Sequence, residues 1–322
     1  MTLTRKNKAL VFAALAAVMI IMTTFSINAA QVSRQVFTFS QNPELKLTRY
    51  VDSTATAKDT PLPCIIFAFG GGFTHGERDD VRYEPYFNFM ARQGYVVCSI
   101  DYRTTMAGFK PGTGQSALLD YGKALANAIQ TATTDFLTAT GYVIANAANW
   151  NIDPTKVVAS GSSAGAITAL QAEYTLVNSR PAGFPANFNY AALVTFAGAV
   201  FTQGTPQNLN HFCPALLFHA DADMQVPYSS LVLGPVGLYG SKYLATQFKD
   251  AGLSGAFWTE LGTGHEMALT PMTQNLFTIA GFLHRVLDTD RKAYDWTTVT
   301  VPGRPADYKT DFTIMDYIRG NM

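Results

Sequence analysis

Six continuous apolar runs constrain this chain more than any other feature. They are Cys64–Phe69, Tyr95–Ile100, Val157–Ser160, Ala191–Phe196, Ala215–His219 and Ala256–Leu261. A strand with one face in water alternates apolar and polar residues, whereas a strand covered on both faces does not. Runs this unbroken predict parallel strands sheathed by helices. Between them, helical spacing of apolar residues occurs over Arg82–Gln93, Ala117–Asn146, Ala164–Val177, Lys242–Ala251 and Pro271–Leu287. The alternation predicts an α/β chain with a doubly wound, mostly parallel sheet and flanking helices. Ahead of it, V-F-T-F and L-K-L-T-R-Y-V between Val36 and Val51 alternate as an antiparallel pair would. Ligands of such sheets bind beyond the carboxyl ends of the strands, and four of those ends are chemically loaded.

The first thirty residues belong to a different kind of segment. Arg5, Lys6 and Lys8 form a basic start, Ala9 to Phe25 is uncharged and apolar, and Ala29-Ala30 offers a small-residue cleavage site. That order predicts a secretory signal peptide over residues 1–30 and a secreted or periplasmic product with no stable membrane insertion. The alternative is an uncleaved N-terminal membrane anchor. Residues 31–322 carry no linker, repeat or low-complexity tract, and predict a single domain with 290–322 as a C-terminal extension. Lys+Arg and Asp+Glu are 23 each, which gives no electrostatic case for nucleic acid. Cys64, Cys98 and Cys213 all sit in or beside apolar runs and read as core thiols. No metal site or cofactor is implied, and the oligomeric state is left open.

The end of Val157–Ser160 runs into Gly161-Ser162-Ser163-Ala164-Gly165 and then into an Ala/Leu-rich helix. This is G-x-S-x-G in a strand–turn–helix setting, where a sharp turn holds a serine oxygen out at the top of the sheet. The helix from Ala164 aims its N-terminal dipole at the same spot. Ser163 is thereby the candidate nucleophile, and Ser162 fills the variable second position. Cys64–Phe69 ends in Gly70-Gly71-Gly72-Phe73, whose glycines let backbone N–H groups face a ligand. After Ala215–His219 come Asp221 and Asp223, both candidate acids. After the last run comes Gly264-His265-Glu266, where a base on a loop could reach the Ser163 oxygen. His219 lies inside a strand and reads as a core histidine. His211 and His284 read as structural, and His75 stands too early in the chain to be the base.

F-G-G-G-F-x-x-G, Asp101-Tyr102-Arg103 and G-x-S-A-G, in that order, resemble the α/β-hydrolase superfamily over about Pro63 to Leu287. Within it they resemble the hormone-sensitive-lipase-like carboxylesterases and the bacterial feruloyl and acetyl-xylan esterases. The resemblance implies the α/β-hydrolase fold and a Ser163–Asp223–His265 triad, because Ala220 to Pro227 is similar to the family's H-G-x-x-D-x-x-V-P. It implies an oxyanion hole from the N–H groups of Gly71, Gly72 and Ala164, with Phe73, His75 and Ser162 as pocket candidates. Phe69 departs from the family, which opens its glycine stretch with a loop-supporting histidine.

The expected activity is that of a serine carboxylic-ester hydrolase working through an acyl-enzyme. Its substrates would be short-chain or carbohydrate-linked (acetyl or feruloyl) esters, as small molecules or on polysaccharide. A serine exopeptidase, a lipid or polyester hydrolase and a non-catalytic binding protein are the alternatives. Two segments are expected to shape specificity: Thr105–Asn151 and the Gly/Pro-rich insertion Leu231–Gly240.

Overall fold

A computed structural model describes residues 31–54, 60–110, 115–289, 291–301 and 313–321. The signal segment expected over 1–30 lies outside the described residues, as does Tyr308. The strands are β1 (Val32–Gln41), β2 (Glu44–Asp52), β3 (Leu62–Ala68), β4 (Val96–Ile100), β5 (Ile152–Ser162) and β6 (Ala192–Phe196). They continue with β7 (Ala199–Gln203), β8 (Ala215–Ala220), β9 (Ser230–Leu233), β10 (Val236–Gly240), β11 (Gly255–Leu261) and β12 (Tyr294–Thr300). All six apolar runs are strands; the first five are buried almost throughout, as two-sided cover requires, and β11 is half-buried at Trp258, Glu260 and Leu261.

Among the described residues, nine strands form one sheet ordered β1-β2-β4-β3-β5-β6-β8-β11-β12. β1 pairs antiparallel with β2, and β2 with β4; every neighbour from β4 onward is parallel. The chain steps from β3 outward to β4 and then returns across β3 to β5. That reversal opens a crevice at the carboxyl ends of β3 and β5, the place where such sheets hold ligands. Register keeps these ends level: Ala68 pairs with Gly161, Ser162 with Phe196, Phe196 with Phe218, and Ala220 with Glu260.

The covering helices are α1 (Glu84–Arg92), α2 (Gln115–Ala145), α3 (Ala164–Ser179), α4 (Ser241–Asp250), α5 (Pro271–Gln274), α6 (Leu276–Asp288) and α7 (Ile314–Asn321). Apolar faces at helical spacing place them: α1 buries Tyr86, Phe87 and Met90 against the sheet. There Phe67 of β3 lies 4.9–6.0 Å from the rings of Tyr83, Tyr86 and Phe87. Truncating a ring so enclosed costs about 3–5 kcal/mol.

One expectation changes and two gain detail. Pro271–Leu287 is two helices broken at Asn275, because the four-residue turn led by Pro271 stops before α6 starts. Leu231–Gly240 is an ordered hairpin, β9 with β10, and β10 pairs antiparallel with β7 in a separate three-stranded sheet. Within the expected extension, Tyr294–Thr300 adds the ninth strand beside β11. Val32–Met322 forms one compact unit. Cys64 and Cys98 are buried free thiols and Cys213 is a partly buried one. None of the described helices is long and apolar enough to cross a membrane.

Candidate active site

Four loops at the carboxyl ends of β3, β5, β8 and β11 converge on one point. Between β5 and α3, Ser163 adopts φ 52° and ψ −118°, a conformation that costs a non-glycine residue roughly 1–3 kcal/mol. Its neighbours enforce it. The Ser163 N–H donates to the Phe196 carbonyl at 2.8 Å, and its own carbonyl accepts from Ile167 N at 2.9 Å. A Cβ on Gly161 would overlap the Gly165 carbonyl, and one on Gly165 would overlap the carbonyl oxygens of Ala68 and Phe69. Both glycines of the pentapeptide therefore serve close approach: the turn to its helix, and the helix to the end of β3.

His265 opens a short 3-10 turn, His265–Ala268, after β11. Its Nε2 stands 2.8 Å from Ser163 Oγ and its Nδ1 2.7 Å from Asp223 Oδ2. Asp223 follows β8 and its side chain is fully buried. Its Oδ1 accepts from Gln225 N at 2.8 Å and Val226 N at 2.9 Å. Burial opposes ionisation of this carboxyl, but His265 and His219 outweigh it and hold the group well below the usual carboxylate range. A buried carboxylate facing Nδ1 fixes the proton there and leaves Nε2 as an acceptor toward the serine hydroxyl.

Asp221 does a different job. Its Oδ1 accepts from Gly262 N at 2.9 Å, and its N–H donates to Glu260 O at 3.2 Å. It thus ties the loop carrying Asp223 to the loop carrying His265. On the first loop, Gly71 has φ +133°, and a Cβ there would overlap the His75 carbonyl. Gly70 N donates to Tyr83 Oη at 2.9 Å. The N–H groups of Gly71, Gly72 and Ala164 meet no acceptor among the described residues.

The residues after β4 brace this loop, a role the sequence did not reveal. Arg78 Nη1 donates to both carboxylate oxygens of Asp101, at 2.7 and 2.8 Å. Tyr102 Oη donates to the Phe69 carbonyl at 2.8 Å, and its ring stacks on that of Phe69 at 4.3 Å. Arg103 clasps the buried Asp135 of α2 through both its backbone N–H and its guanidinium. Phe69, standing where the resembled family has histidine, is held by stacking instead of by a ring hydrogen bond.

A cavity of about 800 Å³ opens over Ser163 and His265, with His75, Phe109, Tyr121 and Gly320 among its walls. Ser162 borders it, but its hydroxyl is committed to the Ala268 carbonyl at 2.7 Å. Phe73 does not border it: its side chain is buried edge-on to Tyr102 at 6.2 Å, because the loop turns its ring toward the core. Gly320 comes from α7, whose Tyr317 sets its ring edge-on to Tyr121 at 6.0 Å. The chain's last helix therefore reaches the cavity, which polarity patterns alone did not disclose. A wider groove of about 980 Å³ lies between α2, α3 and residues 181–185. It contains none of the four loaded strand ends, so chemistry favours the smaller cavity. Among the described residues no group of three or more His, Cys, Asp or Glu could hold a metal ion.

The BD-FAE family model matches residues 52–200. Chlorogenic acid esterase from Aspergillus niger is 29% identical over 147 residues, 44% of this chain and 24% of that protein. Esterase B1 from Culex pipiens is 29% identical over 126 residues, 37% of this chain and 20% of that protein. The chain thus spans a quarter or less of the length of these relatives. Esterase Est2 from Thermogutta terrifontis, with propionate bound, superposes with a TM-score of 0.54 at 20% identity, covering 83% of this chain and 98% of that one. The hydrolase MGS-M1 from a Medee basin deep-sea metagenome gives 0.52 at 18% identity, covering 81% and 100%. The parallel sheet, the serine turn at its switch point and these likenesses agree: the chain has the α/β-hydrolase fold and is similar to carboxylesterases built on it.

Proposed function

We propose that this chain is a serine carboxylic-ester hydrolase, with Ser163 as nucleophile, His265 as general base and acid, and Asp223 as the group that orients His265. The observation that carries the reading is the unbroken relay Asp223–His265–Ser163, at 2.7 and 2.8 Å, ending on a serine held in a strained turn. His265 Nε2 takes the Ser163 proton as Oγ attacks the ester carbonyl. The oxyanion that forms accepts from the N–H groups of Gly71, Gly72 and Ala164, with the α3 dipole behind them. His265 then gives its proton to the departing alcohol, leaving an acyl-enzyme. Water attacks that acyl-enzyme, again losing its proton to His265, and the acid leaves as Ser163 is restored.

The cavity volume suits a small ester or the esterified end of a longer chain. The esterase relatives support ester over amide substrates, and the propionate-bound neighbour supports a short acyl group. Acetyl or feruloyl groups on small molecules or plant polysaccharide fit this chemistry. The basic, apolar and small-residue order of the N-terminal segment supports action outside the cytoplasm. Turnover of p-nitrophenyl acetate, and covalent labelling by a fluorophosphonate that Ser163→Ala abolishes, test the reading. Labelling that survives in Ser163→Ala overturns it.

A further inference from the structure

Asp223 has a second histidine. His219 lies on β8, four residues before Asp223, and its side chain is fully buried. Its Nε2 stands 3.3 Å from Asp223 Oδ2, the same oxygen that faces His265 Nδ1, and 3.2 Å from the Val226 carbonyl. Its Nδ1 stands 2.9 Å from Ser241 Oγ at the start of α4, and Ser241 Oγ is 3.2 Å from the Gly198 carbonyl. The ring of Tyr228 closes the site edge-on at 5.6 Å.

The neighbours settle which nitrogen carries hydrogen. A carboxylate oxygen and a peptide carbonyl can only accept, so the Nε2 between them must bear the proton. In the neutral ring, Nδ1 is an acceptor, and the single Ser241 hydroxyl hydrogen is shared between it and the Gly198 carbonyl. An ionised carboxylate offers about four acceptor sites. Three are taken by Gln225 N, Val226 N and His265 Nδ1. His219 Nε2–H, hydrogen-bonded to the Val226 carbonyl, also lies 3.3 Å from Oδ2 and adds a polar contact there in a place with no solvent access. A buried carboxylate that loses such a polar contact loses part of its compensation and a wall that keeps it from turning about its own bond.

We propose that His219 is a positioning residue for the reaction, holding Asp223 Oδ2 so that this oxygen faces His265 Nδ1. The inference rests on the triad reading above. Because His219 is part of β8, it ties the acid to the sheet as well as to its own loop. Through Ser241 and Gly198 the same ring also ties down the start of α4 and the turn after β6.

The test uses the full chain and four variants, with folding checked by circular dichroism and melting temperature. His219→Leu keeps apolar bulk and removes the donor. His219→Asn retains an amide only near the Nδ1 side, while His219→Gln can place an N–H near the Nε2 position. For p-nitrophenyl acetate, Leu and Asn should lower kcat about 10–100-fold, the cost typical of losing a partner that orients a functional histidine. KM should move less than about threefold, and Gln should recover most of the loss. Ser241→Ala, which frees the far side of the ring, should show a smaller fall and stands in if His219→Leu does not fold. Nitrogen-edited proton spectra give a readout independent of turnover: the downfield His265 Nδ1 proton should be sharp in the wild type and broadened or lost in His219→Leu. A wild type that neither hydrolyses nor labels sinks the triad reading, while the spectra still decide His219. Folded variants with wild-type kcat and an unchanged downfield proton overturn the positioning role.

Discussion

Tyr102 holds Phe69 twice: its hydroxyl donates to the Phe69 carbonyl at 2.8 Å while the two rings stack 4.3 Å apart. The carbonyl lies directly ahead of the triple glycine, so the phenol sets the starting direction of the loop that would face an oxyanion. Tyr102→Phe keeps the stack and strands a buried carbonyl. It should cost about 1–3 kcal/mol of stability and lower kcat more than it raises KM. Urea unfolding beside ester kinetics checks this, and a variant matching wild type in both denies the brace.

Gly71 and Gly72 should separate cleanly under the same substitution. A Cβ on Gly71 would overlap the His75 carbonyl, whereas one on Gly72 meets only Thr74 Oγ1 at 3.8 Å. Gly72→Ala then pays only the left-handed backbone penalty, about 1–2 kcal/mol, and should retain measurable turnover. Gly71→Ala should deform the loop and lose activity at least tenfold further. Equal losses in the two variants would show that crowding at Gly71 is not what shapes the loop.

Glu173 on α3 gives a pH-dependent prediction. It is buried, its Oε1 accepts from Cys213 N at 2.9 Å, and burial raises its pKa although that N–H works the other way. For a carboxyl whose folded pKa is raised, stability is fully present below the unfolded value, about 4.3, and declines as pH climbs through the folded one. Glu173→Gln keeps the acceptor without the charge. It should therefore be more stable than wild type at pH 7, with the gap closing below about pH 4. Denaturant midpoints at the two pH values provide the check, and a constant gap would mean that charge burial is not the cause.

Tyr317→Ala should open the cavity wall where α7 meets Tyr121. The expected effect is a several-fold change in the preference between p-nitrophenyl butyrate and acetate, with kcat on acetate within about twofold of wild type. An unchanged preference would show that α7 touches the cavity without shaping it.

Most of the fold was legible because two-sided burial writes itself as unbroken apolar sequence, and that is how β3 to β6, β8 and β11 were found. β12 was not, since Tyr-Asp-Trp-Thr-Thr-Val-Thr is an edge strand, polar and half-exposed, placed after the last strong helix. The β9–β10 hairpin hid behind Gly234-Pro235, which reads equally well as a loose insertion. Ser163 and His265 were visible from chain order and motif context, and Asp223 from resemblance. His219 and Tyr102 were not visible as supports, because what they touch is set by how loops fold back onto strands. Phe73 was misplaced for the same reason: adjacency to the triple glycine does not say which way a ring turns.

The ninth strand changes the standing of the eighth. Without Tyr294–Thr300, β11 would be the border of the sheet, and the loop that carries His265 would hang from a segment free to peel away. Flanked on both sides, β11 can separate only by breaking two ladders at once. Its amides should therefore exchange with solvent on the timescale of global opening, not of local fraying. A chain cut after residue 289 would expose that difference: deuterium should enter β11 faster, and the proton relay should be the first function to falter.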